Sequence, residues 1–414
     1  MGLLTPFPKG DAQDAVYVVG GGIGGLAAAA GLHKAGIKVV ILERSPSLRQ
    51  SGAAIALQTN AFRALNLLDQ GISDTLRAQH PELAVWEYYT EGGRLLKTLH
   101  VKDCSHGPHE MRGVVRNQLA AALSKPLPDG TIRLGAGVQS VAFDEHDKAT
   151  VELMDGTRIP AKIVIGADGV NSKVGAALGI PKPDYAGFCA FRGMANFDEG
   201  LPWKEKNMFR FISGAREGLI GVYPVSATEI FYFVAFPAPR ELPKQMDRAA
   251  QRAELDKRVA GLPFAMPEIA RRTRDEDLYF SIITDRLPDP TWAPGRGCTT
   301  VIGDALHPTQ PTLAQGGCMA IEDGAEIAVV LKRVLAGRPL SEVPDAEIAA
   351  ALRDFERRRS ARCGVLIAQA RATGKNRIFP KSFLGAWLRD LITPFAISER
   401  NIFAATVWEP SGDL

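Results

Sequence analysis

The sequence has little of what marks secreted, membrane-spanning or nucleic-acid-binding proteins. Its 414 residues include only five cysteines and no Cys-x-x-Cys pair, so neither a disulfide framework nor a zinc site is indicated. No run of about 18 apolar residues is present, which argues against a spanning helix. The net charge is only +3, too small to predict nucleic acid or an anionic membrane as a partner of the whole chain.

The first dozen residues contain no apolar segment of the kind found in a signal peptide. Together with the scattered cysteines, this favours a reducing compartment. We therefore expect a cytoplasmic protein, or one of an organellar stroma or matrix if a transit peptide has been removed, and not a secreted one. The histidines show no metal-ligand spacing, so no metal is expected. The sequence leaves monomer and homodimer both open.

The most informative stretch is rich in glycine and follows an apolar run. Residues 16–19 predict a buried strand, and an Ala-rich run from Leu26 predicts a helix. Between them, Gly20, Gly22 and Gly25 match the Gly-x-Gly-x-x-Gly spacing. The first glycine permits the turn, the second lets a pyrophosphate approach the backbone, and the third lets the helix pack on the strand. The stretch predicts a dinucleotide-binding unit, with an ordinary βαβ turn as the alternative.

An acidic residue stands where this interpretation requires one. The next predicted strand ends in Glu43, about twenty residues on, where a carboxylate binds the ribose hydroxyls of an adenosine. Arg44 follows it and would suit a 2′-phosphate. We take Glu43 as the ribose ligand and Arg44 as its neighbour.

Two further aspartates follow apolar strands. Asp168 and Asp304 each stand at the C-terminal end of a predicted strand, beside a glycine. Ligands bind at this edge of open α/β sheets. A single Asp-Gly pair is usually just a turn, but two of them with the glycine loop indicate one extended cofactor along the sheet edge.

The composition changes between residues 184 and 285, which are rich in Phe, Tyr and β-branched residues in alternating patterns. This predicts a mostly antiparallel sheet inserted into an α/β chain. A Gly-Gly pair at 92–93 predicts a hairpin. Helical spacing of apolar residues predicts helices over 321–335 and 345–375. The tail over 383–403 is amphipathic, and it would dock on the body, on a partner or on a membrane surface.

Three motifs in order give the chain a family resemblance. They are residues 20–25 with Glu43, residues 166–172 (Gly-Ala-Asp-Gly-Val-Asn-Ser), and residues 303–323, from Gly-Asp-Ala-Leu-His-Pro to Ile-Glu-Asp. The chain resembles the single-component FAD-dependent monooxygenases of the aromatic-hydroxylase type. Within that family it is most similar to the branch of plant monooxygenases and zeaxanthin epoxidase.

The resemblance implies an activity. FAD would be reduced by NADH or NADPH as a transient co-substrate, O₂ would add at the flavin C4a position, and the hydroperoxide would deliver one oxygen atom. The product would be a hydroxylated or epoxidised small aromatic or isoprenoid molecule. A flavin reductase or oxidase on the same fold, and a non-catalytic flavin-binding interaction protein, are the alternatives.

The resemblance also implies an architecture: a Rossmann-like FAD-binding domain of the 4-hydroxybenzoate hydroxylase type, an inserted antiparallel substrate sheet and C-terminal helices. The expected FAD-binding segments are 12–83, 110–183 and 286–375, the substrate segments are 84–109 and 184–285, and the helical tail is 376–414. The residues expected to bind cofactor are Gly20, Gly22, Gly24, Gly25, Glu43, Arg44, Ala54, Arg116, Asp168, Asp304, Pro311, Gly316 and Gly317.

Four residues are assigned from the sheet segments and the flavin loop. Arg192 matches an arginine that the family places on a strand facing the active site, where it would bind a carboxylate or a flavin edge, with a surface salt bridge as the alternative. Tyr223 resembles a pocket-lining position of the family, and both residues are catalytic candidates. Arg210 alternates with two phenylalanines and is expected to be solvent-exposed. His307 is expected to pack the flavin loop rather than act as a base.

Two departures from the family pattern bear on the flavin. The position of the arginine that usually ends the Asp-Gly motif holds Gly175, and Lys173 would supply a charge there without the bidentate fork of arginine. The usual Gly-Gln-Gly is Ala314-Gln315-Gly316, which adds a methyl group beside the flavin.

Overall fold

The computed structural model describes residues 14–48, 53–101, 109–214, 218–289, 291–378, 383–397 and 404–414. Cys104 and all of the first dozen residues lie outside these ranges. The strands are β1 (Val16–Val19), β2 (Val39–Glu43), β3 (Ala54–Gln58), β4 (Val85–Thr90), β5 (Leu95–His100), β6 (Met111–Val115), β7 (Ile132–Leu134), β8 (Val138–Phe143), β9 (Ala149–Leu153), β10 (Arg158–Ala161), β11 (Ile163–Gly166), β12 (Asp184–Asn196), β13 (Met208–Ser213), β14 (Leu219–Pro224), β15 (Glu229–Pro237), β16 (Thr273–Asp285) and β17 (Thr299–Val301).

The helices alternate with these strands in the first part of the chain and dominate its end. They are α1 (Ile23–Lys34), α2 (Thr59–Leu68), α3 (Gln70–Gln79), α4 (Arg116–Ser124), α5 (Lys173–Ala177), α6 (Leu242–Gln245), α7 (Arg248–Val259), α8 (Met266–Arg272), α9 (Gly316–Leu335), α10 (Asp345–Ile378) and α11 (Phe383–Ala396). No helix in the described ranges is both long and apolar enough to span a bilayer.

A parallel sheet carries the glycine-rich unit. Its strand order is β17-β11-β1-β2-β7, and every pair in it is parallel. All residues of β1 and β11 are buried, because helices cover one face and the small antiparallel sheet β10-β9-β8 covers the other. Burial on both faces explains why these strands are continuous apolar runs.

The second large sheet has seven strands in the order β16-β12-β15-β14-β13-β4-β5. The predicted hairpin is confirmed, since β4 and β5 pair antiparallel on either side of residues 92–93. Successive side chains of β15 point to opposite faces. Phe231 lies in the core on one face, whereas Tyr232 lies in the core under α7 and α8. Both faces of this sheet are therefore covered.

The covered second face makes the expectation for Arg210 wrong. As predicted, Arg210 points away from its phenylalanine neighbours, but it is buried rather than exposed. Its guanidinium lies over the rings of Trp203 and Phe264, 4.8 and 5.1 Å from their centroids, and 3.2 Å from Glu205. Alternation gives the direction of a side chain but not what covers it.

The sequence does not predict the two-stranded sheet of β3 and β6, because both strands contain small residues. β3 and β6 pair antiparallel from Ala54↔Val115 to Gln58↔Met111, although β3 contains two alanines and β6 a glycine. Gly113 is required because a Cβ there would lie 2.5 Å from the ring of Tyr223. This small sheet joins the parallel sheet to the seven-stranded one.

Candidate active site

A cleft of about 1660 Å³ runs between the parallel sheet and the seven-stranded sheet. One end is lined by the glycine loop, Glu43 and Asp168. The middle is lined by Asp304 and by residues 311–314, 316 and 317, and the other end by aromatic side chains of the seven-stranded sheet. The carboxyl ends of β1, β2, β11 and β17 supply the first part, as expected for an open α/β sheet.

The glycine loop is held by the carboxylate at the end of β2. Glu43 Oε2 accepts a hydrogen bond from the Gly21 N–H at 2.6 Å, and Oε1 accepts one from the Ser45 N–H at 2.8 Å. Gly20 has φ +106°, and a Cβ there would lie 2.5 Å from the Ala167 carbonyl oxygen. The loop therefore requires glycine at this position.

Gly22 and Gly25 have different positions within this motif. A Cβ on Gly22 would meet no protein atom closer than 3.9 Å, and Gly22 is exposed in the cleft. Gly25 does not line the cleft, and a Cβ there would lie 2.0 Å from the Gly20 carbonyl oxygen. Gly25 thus serves the close packing of α1 on the loop, while Gly22 leaves room in the cleft.

Asp168 organises the start of a short helix. Its Oδ2 accepts hydrogen bonds from the N–H groups of Lys173 and Val174 at 2.6 and 3.3 Å, and its Oδ1 accepts one from the Ser172 hydroxyl. Ser172 in turn accepts one from the Gly175 N–H at 2.7 Å. Both Asp168 and Lys173 line the cleft, so the motif brings one charge of each sign to it.

Asp304 lies on a 3₁₀ turn, Gly303–Ala305, that follows β17. Its carboxyl is exposed to the cleft, yet protein surrounds it on the other sides. This crowding raises its pKa through the loss of hydration, while the charges of His307 and Arg116 oppose the rise. A carboxyl in this setting suits a hydroxyl group as its partner.

A cluster of buried charged side chains stabilises the turn that carries Asp304. Asp323 of α9 accepts hydrogen bonds from the Gly303 N–H at 2.8 Å, from His307 Nε2 at 2.5 Å and from Arg359 Nε of α10 at 2.5 Å. Burial pushes the pKa of Asp323 up, but these cationic partners and hydrogen bonds hold it below its usual value. His307 is fully buried in this contact, as expected for a residue that packs the loop.

Polar side chains of β3 and α2 hold the next loop, residues 311–317. Gln58 Nε2 donates to the Leu313 carbonyl at 2.9 Å, and Gln315 Nε2 donates to Gln58 Oε1 at 3.0 Å. Asn60 Nδ2 donates to Gln315 Oε1 at 2.9 Å. Sequence reasoning missed Gln58 and Asn60, because their partners lie more than 250 residues away along the chain.

Ala314 occupies a backbone conformation that favours glycine. Its φ is +53° and its ψ +31°, the left-handed region. An alanine there costs roughly 1 kcal/mol relative to its normal conformation. The departure from Gly-Gln-Gly thus leaves the loop in a glycine-type conformation and adds the methyl group inside the cleft.

The far end of the cleft is an aromatic chamber on the seven-stranded sheet. Tyr223 is buried between Phe209 and Phe231, with ring centroids 4.6 and 5.2 Å away. Burial raises the pKa of Tyr223 well above its usual value, so the phenol is protonated at neutral pH. It is suited to donate a hydrogen bond and not to accept a proton. The aromatic residues lining the chamber are Trp86, Tyr88, Phe209, Phe211, Tyr223, Phe231 and Phe233.

Two arginines, Arg116 and Arg192, line the cleft. Arg192 Nη2 donates to the Ser281 hydroxyl at 2.5 Å, while its Nε is buried without a hydrogen-bond partner among the described residues. Burial lowers the pKa of Arg192, and the charge of Arg116 lowers it further. A guanidinium that lines the cleft, with no acidic partner among the described residues, suits an anionic or carbonyl oxygen.

The structure brings nearly all predicted site residues to this one cleft. Gly25 is the exception, since it lies behind the loop. The cleft is lined by Gly20, Gly22, Gly24, Glu43, Arg44, Ala54, Arg116, Asp168, Arg192, Tyr223, Asp304, Pro311, Gly316 and Gly317.

The helix ends at the cleft fit a long anionic cofactor. α1 begins directly after Gly22 and α9 directly after Gln315, and no side chain among the described residues caps the N-terminus of either helix. The uncapped N–H groups and the positive end of the helix dipole favour negative charge at these two positions.

Comparison with known proteins decides the family. Residues 13–346 match a family described as an FAD binding domain. The chain belongs to this FAD binding domain family. Its relatives include the Aurachin C monooxygenase/isomerase of Stigmatella aurantiaca, 30% identical over 93% of this chain and 95% of that protein. Monooxygenase 1 of Arabidopsis thaliana is 35% identical over 78% of each chain.

A solved structure supports the same fold for this FAD binding domain protein. HpxO of Klebsiella pneumoniae, complexed with FAD and uric acid, superposes on 96% of this chain and 98% of that chain with a TM-score of 0.79 at 24% identity. The predicted fold class, the aromatic-hydroxylase type of monooxygenase and FAD as the cofactor are confirmed.

Proposed function

We propose that this chain uses NADH or NADPH and O₂ to hydroxylate or epoxidise a small aromatic or isoprenoid substrate. One observation carries the proposal. A continuous cleft joins the glycine loop of a dinucleotide site to an aromatic chamber, and the uncapped end of α9 lies where the two parts meet. A protein that only bound FAD would not need the chamber.

The residues of the cleft suit FAD along its whole length. Glu43 would hold the adenosine ribose, the start of α1 the pyrophosphate, and Asp304 a hydroxyl of the ribityl chain. When bound, FAD supplies electron transfer from NAD(P)H and the activation of O₂ at C4a. The start of α9 would stabilise negative charge at the flavin end of the cleft.

The chamber would position the substrate and exclude water. Its aromatic walls favour a flat apolar molecule through stacking and edge contacts. Arg192 would bind an anionic or carbonyl oxygen of the substrate, and the protonated Tyr223 would donate a hydrogen bond to it. Together they would fix which carbon faces the reacting oxygen.

The names of relatives span the same substrate range. They include a 6-hydroxynicotinate 3-monooxygenase of Pseudomonas fluorescens and a chloroplastic zeaxanthin epoxidase of Nicotiana plumbaginifolia. The first acts on a small heteroaromatic acid and the second carries a carotenoid in its name. For this chain, an aromatic acid would use Arg192, whereas an isoprenoid would use mainly the aromatic walls.

Incorporation of labelled oxygen tests the proposal. The holoenzyme would be mixed with NADH or NADPH, ¹⁸O₂ and a panel of phenols, heteroaromatic acids and isoprenoids. We expect one substrate class to accelerate NAD(P)H oxidation and to gain one ¹⁸O atom in the product. The ratio of rates with NADH and NADPH identifies the co-substrate.

The two alternatives give different results in the same assay. NAD(P)H oxidation that yields only H₂O₂ or a reduced product, with no ¹⁸O in any organic product, indicates an oxidase or reductase. Bound FAD that NAD(P)H does not reduce under any condition indicates an interaction protein. Either outcome would overturn the proposed oxygen insertion.

A further inference from the structure

The helix α11 presents its apolar side chains outward. Six of the twelve exposed large apolar residues among those described lie on it, at the helical spacing 384, 387, 388, 391, 392 and 395. Phe395 is 86% exposed, Leu384 70% and Trp387 56%. An apolar stripe of this spacing normally faces the protein core.

The polar side chains of α11 face inward instead. Arg389 and Asp390 are only 10% and 15% exposed. Arg389 donates to the carbonyl oxygens of Gly214 and Ser213, at the end of β13, at 3.1 and 3.3 Å. The body thus holds the helix by its polar face and leaves the apolar stripe to contact something else.

The stripe is continuous with the lining of the cleft. Leu388 and Ile392 are both 48% exposed, and both line the cleft beside Thr393 and Ile397. Two residues of the stripe on α11 therefore line the same cleft as the aromatic chamber. A surface that holds apolar molecules could pass them along this route.

The sequence that leads into α11 is basic, which favours an anionic surface as the partner. Residues 372–388 contain three basic residues, Lys375, Arg377 and Lys381, and no acidic one. This local charge equals the net charge of the whole chain, +3, so the rest of the molecule is neutral on balance. In sequence, a basic segment next to a Trp- and Leu-rich amphipathic helix is typical of helices that lie in the headgroup region of anionic membranes.

We propose that α11 docks on an anionic lipid surface through Leu384, Trp387, Leu391 and Phe395, with the cleft opening toward the lipid. The docking does not depend on the proposed function, whereas delivery of an apolar substrate rests on it. A second copy of the chain would be the competing occupant of this face.

Vesicle flotation of the holoenzyme tests the docking. The probes are vesicles of phosphatidylcholine alone and of phosphatidylcholine with phosphatidylglycerol. We expect binding to the anionic vesicles that weakens with added salt, and a blue shift of Trp emission that Trp387→Phe abolishes. Phe395→Glu should weaken binding at least about tenfold, and Val365→Glu, an exposed apolar position on α10, should not.

The outcomes separate docking from activity. Phe395 does not line the cleft, so Phe395→Glu should oxidise a water-soluble substrate at the wild-type rate while losing the vesicles. Absence of binding to both vesicle types would overturn the proposal, and so would equal binding by Phe395→Glu. A dimer in the absence of lipid that Phe395→Glu dissociates would assign the face to a second copy.

Discussion

Arg192 and Arg210 show how much the two faces of one sheet differ at the scale of single residues. Both are arginines on strands of the seven-stranded sheet with buried nitrogen atoms. Arg210 has the acids Glu205 and Glu87 nearby, at 3.2 and 3.9 Å, and two aromatic rings. Arg192 has a hydroxyl and a neighbouring arginine. The surroundings of Arg210 are those of a residue that stabilises the fold, whereas the surroundings of Arg192 leave its charge for a ligand.

Substitution by methionine should separate these roles. Arg192→Met removes a charge that has no acidic partner in the part of the chain that the structure describes, so we expect the free energy of unfolding to change by less than ~1 kcal/mol or to rise. The kcat/KM for an anionic substrate should fall at least about tenfold, since a charge-assisted hydrogen bond contributes ~1.5–3 kcal/mol. Urea denaturation and steady-state kinetics measure the two effects.

Arg210→Met is the matched control. It leaves Glu87 without its nearest cation and should destabilise the protein by about 2–3 kcal/mol. The folded fraction should keep its kcat/KM. Equal loss of activity in both variants would show that Arg192 acts through the sheet rather than on the substrate.

Ala314 and Ala336 form a second informative pair. Both have left-handed backbones, with φ +53° and +48°, but Ala314 lies in the cleft and Ala336 ends α9. Glycine at either position relieves the backbone strain of the folded state. This gain exceeds the loss from a more flexible unfolded chain, so each variant should be more stable by ~0.5–1 kcal/mol. Thermal unfolding of the apoprotein measures this gain.

Only Ala314→Gly should change the cofactor site. A freer loop must be ordered when FAD binds, so we expect the Kd for FAD to rise by up to about fivefold. Titration of the apoprotein with FAD, followed by flavin fluorescence, gives the value. An equal rise in Ala336→Gly would contradict a local effect of the loop.

At the scale of elements, the sequence predicted those helices and strands whose apolar spacing or glycine motif is complete within one stretch of chain. The strand, glycine turn and helix of residues 16–34 carry their own pattern, and so do the long helices α9 and α10. β3 and β6 escaped prediction because small residues lie there to make room for partners such as the Tyr223 ring. The covering of Arg210 and the anchoring of residues 311–317 depend on distant contacts, which no local pattern encodes.

The buried cluster of His307, Asp323 and Arg359 joins three elements behind the cleft, and its charges make stability depend on pH. Burial alone lowers the pKa of His307, but the Asp323 carboxylate beside it raises it well above 6.5. The contribution of His307 is therefore complete below pH 6.5 and is lost as the pH rises toward the folded value. The depressed pKa of Asp323 contributes stability above its ordinary value of 3.8, which is lost only on strong acidification.

We expect the wild-type free energy of unfolding to fall as the pH rises above 6.5, by up to ~1.4 kcal/mol per pH unit from this group. Asp323→Asn removes the cause of the raised pKa, so its slope should be flatter, and it should be less stable by ~3 kcal/mol near neutral pH. Urea denaturation across this pH range gives both slopes.

Glu326→Gln is the control, because it changes a carboxylate on α9 that pairs with Arg358 at 2.6 Å, and it should keep the wild-type slope. Equal slopes in wild type and Asp323→Asn would contradict the assignment of the pH dependence to His307.

At the scale of the whole molecule, two sheets with separate cores share one cleft. The parallel sheet and the seven-stranded sheet bury different sets of residues, and the two-stranded sheet of β3 and β6 bridges them. A cofactor that fills the cleft contacts both parts. Its binding energy therefore stabilises the arrangement of the two sheets as well as each of them.

Removal of FAD should accordingly lower the stability of the whole molecule. A ligand at about 100 times its Kd contributes ~2.7 kcal/mol to the stability of the native state. The apoprotein should therefore unfold at a lower temperature, and added FAD should restore the midpoint in a concentration-dependent way.

Gly22→Asp places a negative side chain in the open space beside the start of α1 and should abolish this response, while the apoprotein unfolds as in wild type. Gly25→Ala should instead destabilise the apoprotein, because its Cβ would lie 2.0 Å from the Gly20 carbonyl oxygen. If Gly22→Asp still gained stability from FAD, the pyrophosphate would have to lie elsewhere in the cleft, and the motif would serve packing alone.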